Sequence, residues 1–140
     1  MYEPVMEFEN QKHLQSYIEE WKKILFLQDW IIRGILVDPP IIDDNGDELS
    51  GRNEIQIVNK CSVIYIIRPN RDSQNRVSKF CAELTLVHEL LHCKYNWTQK
   101  APNSIEYIYF DTLEHSLIEQ MAKSLIMTKY ALPFEWFQNF

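Results

Sequence analysis

Two histidines four residues apart, His88 and His92, with Glu89 directly after the first, are the grouping in this chain whose types and spacing specify a chemistry. On a helix, residues i and i+4 lie one turn apart on one face, so the two imidazoles can share a single ion through their ring nitrogens. The carboxylate between them reaches the ion's open coordination position rather than the ion. There it can take a proton from a water and later pass it to a departing amine. His88-Glu89-Leu90-Leu91-His92 is therefore expected to bind Zn2+, with Glu89 as the general base. The neighbours agree with a buried metal helix, being apolar on both sides: Leu84-Thr85-Leu86-Val87 before, Leu90-Leu91 within. Two histidines and a glutamate among them would be costly to bury without a metal to satisfy them.

Zinc needs a third protein ligand, and Glu114, His115 and Glu119 are the candidates downstream. At about 100° per residue, Glu114 points near the centre of the apolar face formed by Ile118, Met121, Ala122 and Leu125. His115 falls toward one flank of that face and Glu119 further out. An ionised glutamate facing the core is hard to accommodate unless it is paired or metal-bound, which makes Glu114 the expected third ligand. Glu119 and His115 remain alternatives. They are themselves an i, i+4 pair, so one could be the ligand and the other its hydrogen-bonded support. Tyr95, Tyr107, Tyr109 and His115 are the positional candidates for stabilising an oxyanion.

These residues need elements to hold them. Gln11 to Leu27 reads as an amphipathic helix through Leu14, Ile18, Trp21 and Leu25. Trp30 to Val37, Glu54 to Val58 and Cys61 to Arg68 read as strands, with Asn59-Lys60 as a tight turn between the last two. Asp38-Pro39-Pro40 breaks the first strand, and Asp43-Asp44-Asn45-Gly46-Asp47 is a polar turn whose spacing does not match a calcium loop. The HELLH segment falls in a helix from Lys79 to about Tyr95, with Ser78 as its expected N-cap. Asn96 to Phe110 reads as a loop. A last helix, capped by Asp111 or Thr112, runs to about Tyr130 before Pro133, and an aromatic tail of Phe134, Trp136, Phe137 and Phe140 follows.

Length and composition bound the rest. A chain of 140 residues is one domain, 1–140, large enough for a real core. The balance of 14 basic against 20 acidic residues gives a net charge of -6, a poor basis for nucleic-acid affinity. Arg68, Arg71 and Arg76 form the best basic group, and Asp72 interrupts it. Cys61, Cys81 and Cys93 contain no CxxC pair and read as reduced core cysteines, with Cys93 turned about 100° away from His92. No signal peptide and no membrane-length apolar run is visible, so a cytoplasmic protein without a membrane partner is expected.

The whole pattern resembles the gluzincin branch of the zincins, and more closely the small HExxH metallopeptidases of phages and other mobile elements. The matching pieces are Leu27-Gln28-Asp29-Trp30-Ile31-Ile32, the Val63 to Ile67 strand, Thr85 through His92, and Glu114-His115 through Ile118-Glu119 to Ala122. The resemblance implies an α+β minimal zincin-like domain: a small antiparallel sheet, the HExxH active-site helix and a C-terminal backing helix with the third ligand. It implies a zinc metallopeptidase acting on a peptide or protein, and strand addition of the substrate to the strand before the active-site helix. A binding or regulatory protein that keeps zinc without catalysis is the alternative. A DNA-linked protease like the SprT group is weaker, because its zinc module needs cysteines this chain lacks.

Overall fold

The computed structural model describes residues 2–68, 80–96 and 105–138. Helix α1, Gln11–Ile24, opens at Asn10, whose side-chain oxygen accepts the His13 N–H at 2.8 Å. Its apolar stripe buries Leu14, Ile18 and Trp21 completely. The helix ends at Ile24 rather than Leu27 because Phe26 turns to φ 58° and the Leu27 N–H bonds back to the Lys22 carbonyl at 2.8 Å.

Strands β1 (Ile31–Val37), β4 (Gly51–Gln56) and β5 (Cys61–Ile67) form a three-stranded sheet in the order β1-β5-β4. Between β1 and β4, β2 (Ile41–Ile42) and β3 (Glu48–Leu49) make a two-stranded arm. Its turn is closed by Asp43, whose Oδ1 accepts the N–H groups of Asn45 and Asp47 at 2.9 Å each. β4 and β5 are antiparallel, with Gly51 opposite Ile66 and Gln56 opposite Cys61. β1 runs parallel to β5, Ile31 opposite Cys61 and Val37 opposite Ile67. The sheet is thus mixed, correcting the antiparallel expectation. Residues 38–60 intervene between β1 and β5, a crossing long enough to return the chain in the same direction.

One face of this sheet carries the helices. Ile32 and Leu36 of β1 and Ser62, Ile64 and Ile66 of β5 are buried on it, while the residues alternating with them are more exposed, except Ile67, which is buried at the end of β5. At Gly34 an added Cβ would come within 2.6 Å of Ile18 and 2.7 Å of Leu14, so glycine lets α1 lie directly on β1. α1 also seals the outer edge of β1. Gln11 bonds the Gly34 carbonyl (3.0 Å) and the Leu36 N–H (2.6 Å), and Gln15 bonds the Ile32 carbonyl (2.8 Å) and the Gly34 N–H (3.1 Å). The edge groups from the Ile32 carbonyl to the Leu36 N–H are therefore satisfied, which opposes further strand pairing there. Among the described residues no strand pairs with the outer edge of β4.

Helix α2, Ala82–Lys94, carries the HELLH residues and is buried on most sides. Its N-cap, Cys81, makes no side-chain capping bond; the expected cap Ser78 lies outside the described residues. The Ala82 and Glu83 N–H groups donate instead to the carbonyls of Met6 and Val5, both at 3.0 Å. Glu83 is fully buried, and its two oxygens are filled by Val5 N–H (2.9 Å), Trp21 Nε1 (2.9 Å), Lys129 Nζ (3.1 Å) and the Tyr130 hydroxyl (2.5 and 2.7 Å). A buried carboxylate is tolerable only when satisfied in this way. Glu83 thereby ties the N-terminal segment, α1, α2 and α3 together.

Helix α3, Ile105–Tyr130, begins earlier than expected, since no glycine or proline lies between Ile105 and Phe110 to stop it. Of the aromatic tail, Phe137 is buried and Trp136 packs against the core, while Phe134 is exposed. Arg71, Arg76 and Phe140 lie outside the described residues. All three cysteines are free, Cys81 and Cys93 buried. No helix among the described residues is long and apolar enough to cross a membrane.

Candidate metal centre

α2 and α3 pack against each other so that His88, His92 and His115 meet. One ligating atom from each lies within 4.8 Å of the other two. The Nε2 atoms of His88 and His92 stand 3.3 Å apart. Two nitrogens held at about 2.0–2.1 Å on a tetrahedral ion are separated by roughly 3.4 Å, so this pair is already at the spacing zinc requires. The three residues lie close enough together to hold a metal ion.

The Nδ1 nitrogen of each ring faces an oxygen from α3. His88 Nδ1 lies 2.9 Å from Glu119 Oε2, and His115 Nδ1 lies 2.9 Å from the Asp111 carbonyl. Carboxylates and carbonyls only accept, so both Nδ1 atoms carry the proton and each Nε2 of a neutral ring presents its lone pair. His92 Nδ1 faces Glu114 Oε2 at 3.8 Å. Glu114 does point into the protein, 2 % exposed, as its helical phase indicated. It stands behind His92 rather than among the converging histidines. The neighbour one step around the helix, on the flank that meets α2, is His115.

Glu89 is 7 % exposed, and its Oε2 is a buried side-chain oxygen with no hydrogen-bond partner. Burial pushes its carboxyl pKa up, against the opposing pull of His88 and His115. Burial also depresses the His92 ring to about 3, helped by His88 and His115. For His88, burial works against the charged ring, but the Glu119 hydrogen bond and the charges of Glu89 and Glu119 prevail and raise its pKa. The same bond to His88 lowers the pKa of Glu119. Titratable groups with shifted pKa values thus cluster around one unsatisfied oxygen, as such groups do at functional sites more often than elsewhere.

Two clefts meet at Glu89 and His92. One, of about 470 Å³, is walled by Asn53, Ile55, Ile57 and Val58 and reaches Glu114. The other, of about 420 Å³, is walled by Gly51, Phe80, Leu84 and Thr85 and reaches His88, His115 and Glu119. β4 runs along both. Neither cleft is lined by Tyr95, Tyr107 or Tyr109. Cys93 is buried against the sheet, within 3.5 Å of Asn53 Nδ2, and burial raises its thiol pKa.

Two residues of β4 bear on the site and had no signal of their own in the sequence. A Cβ at Gly51 would meet Thr85 Cγ2 at 2.7 Å, the Tyr65 carbonyl at 3.0 Å and Glu89 Cγ at 3.6 Å. Asn53 Nδ2 donates to the Glu89 main-chain carbonyl at 2.7 Å. β5, proposed by resemblance as the substrate-binding strand, is corrected on topology: both its edges are taken by β1 and β4. Among the described residues, the sheet edge left unpaired beside α2 belongs to β4. No family model matches this chain, and neither the curated proteins nor the solved structures contain a match to it.

Proposed function

We propose that the protein is a zinc-dependent peptidase in which His88, His92 and His115 hold the ion and Glu89 is the general base. The observation that carries this reading is the partnerless Glu89 Oε2, buried beside three converging histidines where two clefts meet. An apolar helix does not leave a carboxylate oxygen unsatisfied without cost, and a water held for reaction is the partner it lacks. Bound zinc would supply a Lewis acid that acidifies a water and polarises a peptide carbonyl. Glu89 takes the proton from that water and delivers it to the leaving amine nitrogen. Glu119, the Asp111 carbonyl and Glu114 orient the three rings from behind, the support that metal-bound histidines need. An extended peptide would lie along the free edge of β4, which supplies main-chain hydrogen bonds past Glu89.

Three histidines leave the fourth tetrahedral position to a water or substrate, the arrangement of catalytic rather than closed structural zinc sites. That favours the peptidase over a non-catalytic zinc protein. The test is zinc-loaded protein incubated with a diverse peptide mixture and analysed by mass spectrometry. Wild type is expected to cleave it, and Glu89→Gln to bind zinc with undiminished affinity without cleaving. A Glu89→Gln protein with full activity refutes the mechanism.

A further inference from the structure

We infer that Asn53 is a positioning residue that locks the open strand edge to the turn of α2 bearing Glu89. The inference rests on the peptidase reading above. Asn53 lies on the helix-facing side of β4, opposite Ile64 of β5. Its Nδ2 reaches the Glu89 carbonyl at 2.7 Å and lies 3.5 Å from Cys93 Sγ. The amide cannot turn over, because the Glu89 carbonyl only accepts and so requires Nδ2, which leaves Oδ1 to accept from the Ser62 hydroxyl. A carbonyl within a helix keeps a second lone pair for such a donor.

Gly51 makes the neighbouring contact, packed against Thr85 and Glu89. Residues two apart on a strand are spaced about 6.6 Å, and residues four apart on a helix rise about 6 Å. Gly51 and Asn53 therefore mesh with Thr85, Glu89 and Cys93 in register, and a slip of the strand would break both contacts. The hydrogen bond goes to the backbone of the general base itself. A main chain bound along β4 is thereby held at a fixed offset from the Glu89 carboxylate, which is what a reaction geometry requires. An apolar residue at 53 would fill the space without fixing the offset.

Two hydroxamates separate this role from a merely structural one. Acetohydroxamate touches the zinc and Glu89 alone; a tripeptide hydroxamate adds a main chain along β4. Zinc-loaded wild type is expected to bind the tripeptide form at least about tenfold more tightly by calorimetry. Asn53→Ala is expected to keep its acetohydroxamate affinity within about twofold while losing about tenfold on the tripeptide. Asn53→Ser still bonds Ser62 but falls short of Glu89; it should behave alike, and it serves if alanine loosens the fold. Parallel weakening of both probes, or no weakening of either, overturns the inference. Equal wild-type affinity for the two probes overturns it as well, while leaving the zinc site standing. If zinc-loaded wild type binds neither hydroxamate, the peptidase reading falls and this inference with it.

Discussion

The ligand set is open to a direct test, because α3 carries three rivals within six residues and the geometry ranks them. Removing His115 takes away one of the three proposed ligands. Zinc bound by four groups gains roughly 10–16 kcal/mol, or about 3 kcal/mol per ligand, so His115→Ala should weaken zinc binding by more than about a hundredfold. Glu119 acts through His88 Nδ1 at 2.9 Å, and its side chain is 43 % exposed. Loss of such a support typically costs about 10–100-fold, and exposure to water places Glu119→Gln toward the lower end. Glu114 faces His92 at 3.8 Å, beyond hydrogen-bond length, so Glu114→Gln should cost less than about tenfold. Competition against a chromophoric zinc chelator at fixed pH measures all three, and the visible spectrum of the cobalt form reports the number of nitrogen ligands. If Glu114→Gln loses more affinity than His115→Ala, the assignment is wrong and the glutamate is the ligand.

Other outcomes follow from the packing. Gly51→Ala should destabilise the protein by about 1–3 kcal/mol in urea unfolding, because its Cβ meets Thr85 at 2.7 Å and the Tyr65 carbonyl at 3.0 Å. An unchanged midpoint would show that strand and helix are not in close contact there. Lys129→Met should cost about 3 kcal/mol or more by removing the cation that faces fully buried Glu83, and a loss below about 1 kcal/mol would show that the other donors around Glu83 suffice without the lysine. Burial raises the Cys81 thiol from 9.0 to about 11. The folded state thus favours the protonated thiol; its contribution is complete below pH 9 and is lost as pH rises through about 11. Over that window stability should fall by about 2–3 kcal/mol, and Cys81→Ala should flatten this part of the curve in denaturant titrations at several pH values.

The parts legible in the sequence are those written in local pattern. Leu14, Ile18 and Trp21 marked α1, the β-branched run at 61–67 marked β5, and the apolar residues around His88 and His92 marked a buried helix. What escaped depends on partners distant along the chain. β4 starts at Gly51, and glycine, arginine and asparagine are weak strand formers; pairing with β5 and packing on α2 make them a strand. Helical phase gave Glu114 its inward direction correctly, but α2 meets α3 on the flank, where His115 projects. That flank is a property of two helices and cannot be computed from one. Glu83 passed unnoticed for the same reason, since its partners stand 46 to 78 residues away.

The backbone bonds from Ala82 and Glu83 to Met6 and Val5 also bear on the order of folding. The Val5–Glu83 contact spans 78 residues. Closing a loop of that size costs about 4 kcal/mol of chain entropy before any contact offsets it. A growing polypeptide therefore makes α1 and most of the sheet before the first turn of α2 can find its acceptors. His88 and His92 are synthesised after that turn, and His115 later still. The three histidines therefore come together only after α1 and the sheet are made, and an ion held by them would meet a scaffold largely formed rather than organise one.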